Sequence, residues 1–265
     1  MKIAYIGIDL FLPALQYLVG NGCELVELFT CETDDLTEFH AGVVALAERC
    51  NAPYTTKRIQ VSDFDRLLQK GCEAVICAGY YYKIPVYPAL PTVNLHPSLL
   101  PYGRGGWPMP WDILTHRPVS GVTIHKIASG FDTGDILLQR CFTLDERENL
   151  ESFMQKVYAL LPEMLACLLA DFEGLYRAAR PQSEGVYLPM PEKEQYSFSP
   201  ETPLEQVDLI LRAFYGYDCY YRTQHEEYRL IRAYATAEKP QTPGVRVFPV
   251  GGGYAVCDVE NILKM

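Results

Sequence analysis

Residues 2–30 read KIAYIGIDLFLPALQYLVGNGCELVELFT, and residues 73–79 read EAVICAG. In the first stretch a short apolar run, KIAYIG, ends on a glycine. LPALQYLV (12–19) follows with helical spacing, its Pro13 in the first turn, where the missing N–H leaves no bond unmade. CELVELFT (23–30) reads as a second strand. EAVICAG is a continuous apolar run, the mark of a strand buried on both faces. Strand–helix alternation with such runs predicts an α/β fold, a Rossmann-like, doubly wound and mostly parallel sheet.

Working outward, residues 38–50 place Phe39, Val43, Leu46, Ala47 and Cys50 at helical spacing, and 63–70 suits another short helix with Asp63 near its start. TVNLH (92–96) reads as a strand entering a Pro- and Gly-rich loop, 97–110, after which Trp111, Ile113 and Leu114 begin a short helix. VTIHKI (122–127) and ILLQRCFTL (136–144) read as strands joined by the turn SGFDTGD. Leu150, Phe153, Val157, Leu160 and Leu161 mark the apolar stripe of a long helix reaching about Leu175. Residues 179–203 hold five prolines and little periodicity, and read as a linker. Beyond them Leu204, Val207, Ile210, Leu211 and Phe214 make one more helix face. YRLIRAYA, VRVFPV and YAVCDV then read as short strands. The organisation expected is a main domain over 1–178, a linker over 179–203 and a small β-rich C-terminal domain over 204–265.

The chain has 265 residues, 49% of them hydrophobic, with 23 Lys+Arg against 33 Asp+Glu and a formal net charge of −10. That balance argues against a general nucleic-acid binder, whose affinity rests on neutralising phosphates. No apolar run reaches the ~20 residues of a membrane span, so no membrane partner is expected. The start, MKIAYIGIDLF, lacks a small-residue cleavage site and reads as a strand, not a signal peptide. Nine cysteines stand at 23, 31, 50, 72, 77, 141, 167, 219 and 257, with no C-x-x-C pair. They read as reduced, mostly buried thiols of a cytoplasmic protein.

GIDLF after the first strand lacks G-x-G-x-x-G, which disfavours a nicotinamide oxidoreductase. Asn94 and His96 are two residues apart on a strand, so both point to one face, and the strand breaks at Pro97. Open α/β sheets bind ligands at such strand ends. The turn FDTGD offers two carboxylates, Asp132 and Asp135, and spacing does not choose between them. Taken singly, these residues are also what a satisfied strand end and an ordinary turn contain. No Ser or Cys stands in a nucleophile elbow. The histidines at 40, 96, 116, 125 and 225 have no metal-ligand spacing, so no metal is expected. Asn as an N–H donor, His as a proton carrier and Asp as a base or His orienter suit attack by an external nucleophile on an acyl carbon.

NLHPSLLP (94–101), followed by RGGWP (104–108) and TIHKIASGFDTGDIL (123–137), resembles the folate-dependent formyltransferases. These include the glycinamide ribonucleotide, methionyl-tRNA and nucleotide-sugar enzymes. The resemblance covers residues 1 to about 176. It extends more weakly to QSEGV (182–186) and LRAF (211–214), which look like the methionyl-tRNA and sugar formyltransferase pattern. It implies Asn94, His96 and Asp132 as the catalytic set, favouring Asp132 over Asp135, and 10-formyltetrahydrofolate as formyl donor. It implies a folate pocket from Tyr80, Tyr81, Tyr82, Lys83 and Ile84, from the turn Ser129, Gly130 and Phe131, and from Leu99 and Leu100 near the reacting centre. On the acceptor side the candidates are Arg104, to meet an anionic group, Trp107 and Trp111 as cleft walls, and His125.

Family members that act on initiator tRNA carry a basic loop after the second strand. Here that place reads CETDDLTE (31–38), and no Lys or Arg occurs between Lys2 and Arg49. Residues 205–265 hold seven Lys+Arg and eight Asp+Glu, so they form no basic arm. Acidic loops repel phosphate. The acceptor expected is therefore a small-molecule amine such as a nucleotide-linked amino sugar, with methionyl-tRNA as the second reading. A formyltetrahydrofolate hydrolase and a silent folate-binding module are the readings from other classes. The family's deformylases usually carry an extra N-terminal regulatory domain, whereas this chain begins at strand one. A silent module is expected to have lost one of Asn94, His96 and Asp132. The β-rich module offers a surface for a homodimer.

Overall fold

The computed structural model describes all 265 residues. It separates into two compact units, each built from several stretches of chain. The first gathers Met1–Gly106, Ser120–Phe142 and Lys156–Tyr187; the second gathers Trp107–Val119, Thr143–Gln155 and Leu188–Met265. The expected division at 178 and 204 differs from this grouping: residues 107–119 and 143–155 join the C-terminal part, and 179–187 join the N-terminal part.

The first unit begins with β1 (Lys2–Gly7), α1 (Leu12–Gly20), β2 (Glu24–Phe29), α2 (Ala41–Arg49), β3 (Tyr54–Thr55), α3 (Val61–Gln69), β4 (Ala74–Ala78), β5 (Thr92–His96) and β6 (Tyr102–Arg104). A short helix, α4 (Pro108–Leu114), belongs to the second unit. β7 (Val119–Lys126), β8 (Ile136–Thr143), α5 (Leu150–Ala170), α6 (Phe172–Arg177) and β9 (Val186–Tyr187) follow.

Seven strands form one sheet in the order β3-β2-β1-β4-β5-β7-β8. β1 pairs in parallel with β2 and β4, and β4 in parallel with β5, but β5 pairs antiparallel with β7. All five residues of β4 are buried, as its unbroken apolar run requires of a strand covered on both faces. Ala4, Ile6, Val75 and Cys77 lie on one face and join Phe29, Phe64 and Leu67 in a single core cluster.

At 21 residues and a mean hydropathy of 1.3, α5 is long and apolar enough to cross a membrane. Counting unbroken apolar runs overlooks it, because Glu151, Gln155, Lys156 and Glu163 interrupt the sequence. Its stripe Phe153, Val157, Leu161, Met164, Leu165 and Leu168 is buried, which is the pattern of a core helix.

The second unit adds β10 (Ser197–Phe198), α7 (Leu204–Ala213), β11 (Asp218–Arg222), β12 (Glu227–Ile231), β13 (Tyr234–Thr236), β14 (Val245–Val250), β15 (Gly253–Asp258) and β16 (Ile262–Lys264). They form two small sheets, β10-β11-β12-β16 and β13-β15-β14. Val207, Ile210 and Leu211 of α7 are buried, the face anticipated from their spacing. Trp107 packs its indole at 4.7 Å from the Tyr217 ring and 5.5 Å from the Phe214 ring.

Candidate active site

Register places the site. β5 is where the sheet changes from parallel to antiparallel pairing, and Asn94 lies opposite Cys77 on one side and His125 on the other. Directly opposed residues point to one face, and i, i+2 residues share it. Asn94, His96 and His125 are therefore presented together. The Asn94 Nδ2 lies 3.2 Å from His125 Nε2 and 3.5 Å from Asp132 Oδ1. Asp132 Oδ1 lies 3.4 Å from His125 Nε2 and 3.8 Å from His96 Nδ1. Asp135 turns away and pairs with Lys126 at 3.0 Å. The geometry thus separates two carboxylates that spacing left equivalent.

The loop after β5 fixes the imidazole of His96. His96 Nε2 lies 2.7 Å from the Gly103 carbonyl, so it must donate. The nitrogen facing Asp132 is then Nδ1, with a lone pair in the neutral ring. Ser98 Oγ donates to the Tyr102 and Gly103 carbonyls, and Thr123 Oγ1 donates to the Ser98 carbonyl at 2.6 Å. Gln139 Nε2 donates to the Leu100 carbonyl at 2.8 Å. These bonds tie the loop to β7 and β8. His125 is held in the same way, its Nδ1 donating to the Lys126 carbonyl at 2.8 Å.

Burial pushes the His96 imidazole below its ordinary value, although Asp132 and the Gly103 carbonyl pull the other way. The ring is therefore neutral at neutral pH. Burial alone would raise Asp132, but His96, His125 and the Gly105 N–H outweigh it and hold the carboxyl well below the usual carboxylate range. The Gly105 N–H donates to Asp132 Oδ2 at 2.9 Å. Burial pushes the Cys77 thiol well above its usual value, so it supplies no thiolate nucleophile here. No group of three or more His, Cys, Asp or Glu side chains is arranged to hold a metal ion.

The residues expected to hold folate fall into two kinds. Tyr82 and Phe131 are exposed, and Lys83 Nζ lies 5.8 Å from the Phe131 ring centroid, which brings the loop after β4 beside the turn that carries Asp132. Tyr81 is exposed and bonds Glu38 through its hydroxyl. Ser129 is exposed and Gly130 half-buried, its carbonyl accepting from Thr133. Tyr80 instead faces inward: its hydroxyl accepts the Ile59 N–H at 3.2 Å and its ring packs on the core cluster. Ile84 and Leu100 are buried, and Leu99 is half-buried against Gly121.

On the acceptor side the structure gives other partners to the predicted residues. The Arg104 guanidinium is tied to Gln182 Oε1 at 2.8 and 3.1 Å and to the Ser183 carbonyl. Trp107 and Trp111 belong to the second unit, where Trp111 Nε1 donates to the Pro189 carbonyl at 2.8 Å. His125 is buried against Asn94 and Asp132. Sequence reading missed Gln182, which bonds the backbone carbonyls of Asp132 and Gly134. The QSEGV stretch was the only signal, and it marks a resemblance without a role.

The sequence profile described as "Formyl transferase" matches residues 33–168, just over half of the chain. The chain belongs to the formyl transferase family of enzymes. A methionyl-tRNA formyltransferase of Anaplasma marginale is 28% identical over 229 residues, 81% of this chain and 74% of that protein. Two from Ehrlichia ruminantium are matched over only 46% of their length. Among solved structures, a sugar N-formyltransferase from Shewanella sp FDAARGOS_354 superposes with a TM-score of 0.69 at 18% identity, over 90% of this chain and 99% of that one. HypX from Aquifex aeolicus, in complex with tetrahydrofolic acid, superposes with a TM-score of 0.68 at 20% identity, over all of this chain and 46% of that one. The structural likenesses establish a formyltransferase-type fold.

Proposed function

We propose that the protein transfers a formyl group from 10-formyltetrahydrofolate to the amine of a small molecule, such as a nucleotide-linked amino sugar. The observation that carries the reading is that Asn94 and His96, on one face of β5, both lie within 3.8 Å of Asp132 Oδ1, in a member of this family. Exposed Tyr82 and Phe131, with Lys83 over the Phe131 ring, fit a flat heteroaromatic donor. A folate-bound structural neighbour supports the same donor class. When bound, the donor supplies an activated formyl carbon.

The chain's own groups then do the following. Of the two hydrogens on Asn94 Nδ2, one lies toward His125 Nε2 at 3.2 Å and the other makes only a long contact to Asp132, so this second hydrogen is available to a stronger acceptor, the formyl oxygen as charge builds on it. Neutral His96 accepts the proton of the attacking amine at Nδ1 as the new C–N bond forms. Asp132 steadies the imidazolium this creates. His96 then returns the proton to the departing nitrogen as the old C–N bond breaks. No charge enters or leaves the enzyme over the cycle.

Support for a small acceptor comes from the loop after β2. Its sequence holds Glu32, Asp34, Asp35 and Glu38 and no Lys or Arg. Burial would raise the Asp34 carboxyl, but the N–H groups of Glu38, Leu36 and Thr37 hold it well below the usual range. Asp34 therefore holds its negative charge, and a loop of this acidic composition repels a phosphate backbone.

The test is formyl transfer from 10-formyltetrahydrofolate, read by mass spectrometry as the gain of one formyl group. One arm offers nucleotide-linked amino sugars and other small amines; a second offers charged initiator methionyl-tRNA; a third omits the acceptor and measures formate. Formylation of a small amine is expected. Formylation of the tRNA alone overturns the acceptor class, and formate release without transfer overturns the transferase reading.

A further inference from the structure

We propose that Gln182, braced by Arg104, is the positioning residue that holds Asp132 in place; the inference rests on the formyl-transfer reading above. Asp132 sits at φ +54°, the left-handed region that a non-glycine residue seldom adopts. Its neighbours supply the hold. Gln182 Nε2 donates to the Asp132 carbonyl at 2.9 Å and to the Gly134 carbonyl at 2.6 Å. Gln182 Oε1 accepts from Arg104 Nε at 3.1 Å and from its terminal nitrogen at 2.8 Å. Every hydrogen-bonding position of the amide is thereby used, which fixes its orientation.

The residue after Arg104 completes the frame. Gly105 donates its N–H to the Asp132 carboxylate, so one short segment holds the side chain directly and the backbone through Gln182. The segment carrying Gln182 is itself anchored on both sides. Arg180 exchanges two backbone hydrogen bonds with Ile136, at 2.8 and 2.9 Å, and β9 pairs in parallel with β6. A Cβ on Gly185 would lie 2.2 Å from the Pro101 carbonyl oxygen, so the segment runs flush against the loop after β5. Across the turn, Lys126 pairs with Asp135.

Asp132 needs this frame because its carboxylate must face two imidazoles from a strained backbone. Without Gln182 the Asp132 and Gly134 carbonyls lose their donor, and the turn is free to relax. A misplacement of about 1 Å at such a group costs on the order of 100-fold in rate. Arg104 then acts through Gln182 and not on an anionic part of the acceptor.

Gln182→Glu is the decisive variant, since it keeps an acceptor for Arg104 and removes both donors. Its expected effect is a fall in kcat of about 10- to 100-fold with the amine KM changed by less than about 2-fold. Arg104→Met is expected to lower kcat in the same way, and the double variant Arg104→Met/Gln182→Leu to fall no further than Gln182→Leu alone. A raised amine KM at unchanged kcat in Arg104→Met would overturn the assignment and give Arg104 to the acceptor. A second readout needs no turnover: NMR titration of His96 in wild type and in Gln182→Leu, which removes both donors without adding a charge. Displacing Asp132 removes a charge that favours the imidazolium, so the His96 midpoint is expected to move lower still. An unmoved midpoint with wild-type kcat refutes the inference. A wild-type enzyme that transfers no formyl group refutes the functional reading instead, and the titration then decides the positioning role by itself.

Discussion

Replacing Asp132 by Asn keeps the shape of the site and removes one charge. In the resting enzyme His96 is neutral, so the carboxylate does little for the ground state. Once His96 takes the amine's proton, an imidazolium stands 3.8 Å from Asp132 Oδ1. Two unit charges at that distance, in an effective dielectric of about 20, attract by about 4 kcal/mol. That attraction exists only after proton transfer, so it lowers the barrier and not substrate binding. It corresponds to a factor of roughly a thousand in rate. The expected result for Asp132→Asn is therefore a kcat about 1,000-fold below wild type, with little change in the KM of either substrate. Initial-rate kinetics with a formylated-product standard measures both. A kcat within about 10-fold of wild type would show that His96 does not become charged in the rate-limiting step, and the proton path through Nδ1 would fall with it.

Other outcomes follow from the same geometry. Asn94→Ala removes the candidate oxyanion donor and is expected to lower kcat by roughly 100- to 1,000-fold; wild-type turnover would remove Asn94 from the chemistry. Because burial keeps His96 neutral, the acid limb of the kcat profile is expected below the ordinary histidine value of 6.5, and a limb above it would contradict the burial argument. The sign for stability follows: a His whose folded-state value is lowered favours the fold fully above its unfolded value, and that contribution is lost as pH falls through the window beneath 6.5. Urea midpoints across that window check it. Gly134→Ala would place a Cβ 1.9 Å from the Lys126 carbonyl oxygen, a backbone atom that cannot swing aside. A destabilisation of about 1–3 kcal/mol is expected, with a loss of activity larger than the stability loss explains; an unchanged Tm would show that the turn is softer than its contacts indicate.

The parts of this fold that sequence makes legible are those written in side-chain periodicity. EAVICAG announces β4 because a strand covered on both faces has no polar position. TVNLH announces β5, and the two-residue spacing of Asn94 and His96 puts them on one face without any knowledge of tertiary structure. His125 joins them through the register of β5 against β7, a relation between two segments that neither segment encodes. The choice between Asp132 and Asp135 is similarly invisible, since it depends on Lys126 capturing one of them. β6 and β9 are three and two residues long and pair across about 80 positions, too short for any periodic signal.

The stretch between 179 and 187 shows why proline content misleads there. Pro181 and the lack of periodicity suggest a tether, yet its backbone and side chains do the work of an edge strand. Arg180 closes two hydrogen bonds on Ile136, Gln182 caps the turn of Asp132, and Val186 donates its N–H to the Pro101 carbonyl at 3.0 Å. A buried or half-buried carbonyl that loses its donor costs on the order of 1–3 kcal/mol, and this stretch satisfies several at once. The first unit consequently ends at Tyr187, not at 178. The family resemblance weakens beyond residue 176 and reaches the surroundings of Asp132 only through QSEGV (182–186). The contacts there are made mostly by backbone atoms, which place few demands on side-chain identity. Gln182 is the exception: a primary amide is the one side chain of its length that donates twice and accepts twice, as these four neighbours require.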